Sequence, residues 1–153
     1  MYLVLKWLHV LAAAYLVGSI VTEGLLSSWA RRAKDRGAKR FAWEFLTKAE
    51  EKVAVPTAAV LLVSGLLMVW GPFSGGWSIT EDLWVAGGIV LFVVLLALMA
   101  GVAGSAAKRA YAVYSGDGPE ADAAPHEKRY AAIYVVGFVL VVLVVWLMVV
   151  KPF

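Results

Sequence analysis

A chain of 153 residues is one domain's worth, and 62% of it is hydrophobic against 16% charged. No water-soluble core can use so much apolar surface, so the class is an integral membrane protein. The chain has no cysteine, which excludes disulfides, thiolate metal sites and cysteine nucleophiles, and its net charge of +3 reflects lopsided loops rather than nucleic-acid affinity.

Four stretches can each cross a bilayer, which takes about 20 apolar residues. They are residues 2–28, 53–70, 83–107 and 130–150. The first has Lys6 ahead of its apolar run but no small-residue cleavage signature, and it is read as a retained helix rather than a signal peptide. Residues 29–52 carry Arg31, Arg32, Lys34, Arg36, Lys39, Arg40, Lys48 and Lys52. Residues 108–129 carry Lys108, Arg109, Lys128 and Arg129. The connection 71–82 has only Glu81 and Asp82. Basic loops stay in the cytoplasm, so both termini are expected outside. The expected fold is all-α: a polytopic four-transmembrane-helix bundle forming one domain, in the bacterial cytoplasmic (inner) membrane and in contact with the lipid bilayer.

The first span holds ionisable groups in its body. Alternating steps of four and three residues pick out Tyr2, Lys6, His9, Ala13, Leu16, Ile20, Glu23 and Ser27. That 3.5-residue period marks a seam facing neighbouring helices. A charge in hydrocarbon costs roughly 2.5–3.5 kcal/mol on insertion scales, so such groups face a bundle interior or water. His9 could ligate a haem iron or a metal, relay a proton, or hydrogen-bond to a neighbouring helix. Lys6 could pair with an anionic group or extend its ammonium to the surface. Glu23 could relay protons, coordinate a cation, or pair with Arg31 or Lys52.

Between spans one and two, Phe41, Phe45 and Ala49 share a helical face. The reading there is an amphipathic helix over residues 40–52 lying at the interface, with Gly37 as the break before it. In span two, Pro56 falls within a turn of the start, and Ser64–Gly65 offer close packing. In span three, Gly101 and Ser105 form a small-xxx-small pair for helix approach. Trp70, Trp77, Trp84 and Trp146 are expected in an outer aromatic belt, with Trp29 and Trp43 in an inner one. Met68 and Met148 share the outer depth of His9, as second haem ligands or as core filling. His126 falls in the second basic loop as a solvated residue. No phosphate loop, H-E-x-x-H, nucleophile elbow or carboxylate pair within a span is present.

The opening Tyr2–Gly18, with Lys6, Trp7, Leu8, His9 and Gly18, resembles a group of small bacterial four-helix membrane proteins, as does the basic exit Trp29–Arg32. The group includes the oxygen-independent protoporphyrinogen oxidases, copper-resistance D-like proteins and an uncharacterised predicted integral membrane family. In its haem-pathway branch the resemblance implies haem b on a membrane histidine, here His9. The chain departs from that branch in lacking further membrane histidines and a conspicuous charge in span three or four.

Three functions are therefore expected alternatives. One is a b-type haem-binding protein with a redox or haem-handling role, with His9 as iron ligand, Lys6 as propionate partner, and Met68, Met148 or a second His9 across a homodimer completing the site. Another is a small transporter or channel-like protein using Glu23 and His9. The last is an accessory subunit docking a partner membrane protein.

Overall fold

The computed structural model describes residues 2–70 and 82–151. The acidic connection with Trp77 and Glu81 lies outside them. The elements are α1 (Tyr2–Arg32), α2 (Arg36–Ala49), a widened π-type turn (Glu50–Ala54), α3 (Val55–Val69), α4 (Leu83–Leu96), a second widened turn (Ala97–Ala103), α5 (Gly104–Ser115), a 3₁₀ turn (Glu120–Ala123) and α6 (Ala124–Val150). There is no strand among the described residues.

The elements join into four helical runs: Tyr2–Arg32, Arg36–Val69, Leu83–Ser115 and Glu120–Val150. At 31 to 34 residues each is about 46–51 Å long, more than the roughly 30 Å of hydrocarbon. Much of what separates the expected spans is therefore helix continuing past the membrane. Within the most apolar window of each run only 17–22% of residues are buried. The rest face outward, as they do when the solvent is lipid.

The break between the first two runs falls at residues 33–35, not at Gly37. Asp35 caps α2, its carboxylate accepting from Ala38 N at 2.7 Å and satisfying a backbone donor that a helix start leaves free. Gly37 lies inside the first turn. The first widened turn ends two residues before Pro56, where proline's missing N–H and its ring disturb the helical ladder anyway.

Two ends can be told apart: a terminal end, carrying Tyr2 and Lys151, and a basic end, carrying the basic connections. At the terminal end the main pairings are α3 on α1 and α6 on α4. At the basic end α1, α2, α5 and α6 close a ring. There α2 buries Ala42, Trp43 and Leu46 against Ala103, Ala106, Ala107 and Ala110. Phe41 and Phe45 are exposed instead. α2 thus turns its apolar stripe into the bundle, and Phe41 and Phe45 do not define its packed face. Trp43 and Trp84 are buried core residues, unlike the exposed Trp29, Trp70 and Trp146. The close approach expected at Gly101 is made three residues on, at buried Gly104; nothing lies within 4 Å of where a Gly101 Cβ would be.

Candidate functional site

The seam on α1 is the inward face: Leu16, Ile20, Glu23 and Ser27 are all buried. Glu23, 6% exposed, accepts a hydrogen bond from the Tyr134 hydroxyl of α6. The same ring lies beside Gly24, where a Cβ would make an ordinary contact at 3.7 Å. Neither Arg31 nor Lys52 is paired with Glu23. Ion pairs among the described residues include Lys39–Glu120 at 2.8 Å, Lys48–Glu44 at 2.5 Å and Lys108–Glu51 at 2.5 Å.

A second acid meets the same space. Glu50 begins the first widened turn and is 7% exposed. Its side chain continues the α2 stripe of Trp43 and Leu46, which points it inward. Its carboxyl rests on Gly104, where a Cβ would stand 2.9 Å from Oε2, and its Oε1 is buried without a hydrogen-bond partner. Glu23, Glu50, Tyr134 and Ser19 line a cavity of about 40 Å³, walled otherwise by apolar side chains such as Leu16, Ala58 and Leu95. Both widened turns reach it, through Glu50 and Ala54 and through Met99 and Ala100. Such turns are rare in helices and frequent at functional sites.

A connected set of side chains runs from this cavity to the basic end. Tyr134 stacks on Tyr130 with centroids 4.4 Å apart, and Tyr130 meets Trp43 edge-on at 5.1 Å. The buried Tyr130 hydroxyl has no hydrogen-bond partner. Trp43 Nε1 donates to Glu127 Oε1 at 3.2 Å, and the Tyr114 hydroxyl donates to the same oxygen at 2.8 Å. His126, beside Glu127 on α6, belongs to this end and is half-buried.

His9 lies in the other half of the molecule, 14 positions and so about 21 Å along α1 from Glu23. Its Nδ1 is 3.0 Å from the Leu61 carbonyl and 3.0 Å from Ser64 Oγ, both on α3. A carbonyl can only accept, so this network assigns the proton to Nδ1 and leaves the Nε2 lone pair free in the neutral ring. Gly65 admits the ring: a Cβ there would be 3.0 Å from His9 Cε1. An apolar groove between α1 and α3, lined by Leu5, Leu8, Val63 and Leu67 among others, includes Ser64. Lys6 is exposed. Met68 lies one turn beyond Ser64 on α3. Met148 packs on Gly88 with Trp84 and Val85, between α6 and α4. The structure thus joins His9 to α3 and Met148 to α4. No group of three or more His, Cys, Asp or Glu side chains forms a metal-ligand cluster among the described residues.

Glu50, Tyr130 and Tyr134 join the candidate site from outside the α1 seam. The signals existed: Glu50 falls seven residues after Trp43 and four after Leu46, and the two tyrosines are spaced i, i+4 at the entrance to span four.

Four apolar runs, lipid-facing surfaces and polar groups turned inward define a polytopic α-helical integral membrane protein. The chain belongs to the family described as predicted integral membrane protein (DUF2269), whose model matches residues 3–152. No curated protein and no solved structure matches it.

Proposed function

We propose that this protein is a small transporter or channel-like protein of the bacterial inner membrane, with Glu23 as its cation-binding carboxylate. The observation that carries this reading is a buried acid on a half-open cavity between the helices, with no basic residue paired to it. Intramembrane carboxylates are costly, and they mark ion pathways and proton relays. The basic end would face the cytoplasm. The test is flux. Protein reconstituted in vesicles should dissipate an imposed proton or cation gradient, and Glu23→Gln should bring the rate down to that of empty vesicles. Equal rates with and without the wild-type protein would leave the accessory-subunit reading.

One observation favours a second reading, haem b ligation by His9, which is also what the resemblance to the haem-pathway group implies. Ligating histidines commonly donate their other ring N–H to a carbonyl or similar acceptor, which fixes tautomer and orientation. His9 does so to Leu61. The residues present therefore fit one axial ligand, with Met68 on the adjoining turn of α3, Met148 on α6, or a second His9 across a dimer as the sources of another. Lys6 would be the propionate partner. A bound haem would supply one-electron redox chemistry; the chain's part is to hold His9 in place on α3. His9→Ala should abolish haem absorbance in protein purified from haem-replete cells while the helical content stays unchanged. Absorbance that persists in that variant would end the ligand assignment.

A further inference from the structure

We propose that Glu23 and Glu50 form a proton-binding pair, in which Glu50 carries the proton and Glu23 is the ionised partner. This rests on the transport reading and names its cation as H⁺.

The two carboxyls differ in their surroundings. Glu23 has an O–H donor, Tyr134, as an ionised carboxylate requires. Glu50 has a buried oxygen with no donor at all. An unpartnered neutral acid costs far less than an unpartnered anion in a low-dielectric site. Two like charges on one apolar cavity disfavour each other's ionisation, so a single proton resolves both costs.

The charged and titratable groups near the pair come from few elements. α6 offers Tyr130 and Tyr134. α5 offers Lys108, whose ammonium is bonded to Glu51 on the exposed side. The widened turn holds Glu51 and exposed Lys52 beside Glu50. Lys48 of α2 is bonded to Glu44. α3, α4 and the turn Ala97–Ala103 contain no ionisable residue.

A divalent metal cation suits the site poorly. Mg²⁺ takes about six oxygen ligands and Ca²⁺ six to eight. The two carboxyls bring four oxygens, of which one already accepts from Tyr134, and the remaining walls are mainly apolar. The cavity of about 40 Å³ has room for a water or two, enough to pass a proton between the acids. Uptake is simple in balance: hydronium gives up a proton and becomes water, and the proton forms an O–H bond on a Glu50 carboxylate oxygen.

Gly104 gives a way to disturb Glu50 without removing it. A methyl there would meet the end of a flexible side chain, so the carboxyl shifts at small cost to the fold.

Infrared difference spectroscopy of the reconstituted protein at neutral pH reads the protonated carboxyl directly, through its C=O stretch and the shift of that stretch in D₂O. The expected result is one such band in the wild type, lost in Glu50→Gln, retained in Glu23→Gln and shifted in Gly104→Ala. Absence of the band in the wild type, its survival in Glu50→Gln, or an unmoved band in Gly104→Ala would each overturn the pair. Flux on the same vesicles separates the two ideas. The band without flux keeps the proton site and removes the transporter. Flux without the band, dependent on Na⁺ or K⁺, keeps the transporter and removes the proton pair.

Discussion

Trp43→Ala is expected to cost about 3–5 kcal/mol of stability, the range for emptying a fully buried aromatic site. Trp43 is 0% exposed. It fills the ring made by α1, α2, α5 and α6, packs edge-on against Tyr130 and holds Glu127 by its indole N–H. The replacement leaves a cavity, removes one of the two donors to Glu127 and frees the Tyr130 ring that backs Tyr134. The setting makes the soluble-protein magnitude apply. At the basic end the runs extend past the hydrocarbon, where water, not lipid, is the alternative environment for an indole. Thermal unfolding in mild detergent would measure it, with Trp29→Ala as the control. Trp29 is 65% exposed and should change stability by no more than about 0.5 kcal/mol. Equal effects of the two substitutions would mean that the basic end is not a packed core.

Arg36→Ala is the next largest, about 2–3 kcal/mol, because several charge-assisted hydrogen bonds end at once and half-exposure discounts each. The Arg36 guanidinium of α2 reaches the end of α5. Nη2 donates to Val113 O at 2.9 Å and Gly116 O at 2.5 Å, Nη1 donates to Gly118 O at 3.1 Å, and Nε lies 3.4 Å from Tyr114 O. A helix C-terminus leaves its last carbonyls without intrahelical donors. Here a neighbouring helix supplies them and ties the two basic connections together, with Lys39–Glu120 beside it. Hydrogen exchange should rise at residues 113–119 in the variant while α3 and α4 remain unchanged. Arg36→Lys should recover less than half of the loss, since a single ammonium cannot reproduce the planar fork. Full recovery with lysine would show that charge alone matters.

How much of this was legible beforehand depends on the range of the interaction. Apolar length is a local property, so the four crossings could be read directly. Helical period is local too, so the α1 seam named the face on which Leu16, Ile20, Glu23 and Ser27 are buried. Neither property says which helix that face meets. Glu23 had basic candidates within reach along the chain, yet its partner is Tyr134, 111 residues away. His9 was visible as a seam residue, but its anchor on Leu61 and Ser64 is a matter of how α1 crosses α3.

Alternation within α2 offered two faces, one with Phe41 and Phe45, the other with Trp43, Leu46 and Glu50. Both carry aromatic bulk, so local hydrophobicity could not choose between them. The chain fixes four spans, basic connections and one polar seam because these follow from residue type and period alone. The tertiary structure decides that α5 offers a wall of alanines and Gly104 at the height of α2. Only that close, side-chain-poor surface lets Trp43 and Glu50 turn inward, and so brings two acids from different helical runs onto one cavity.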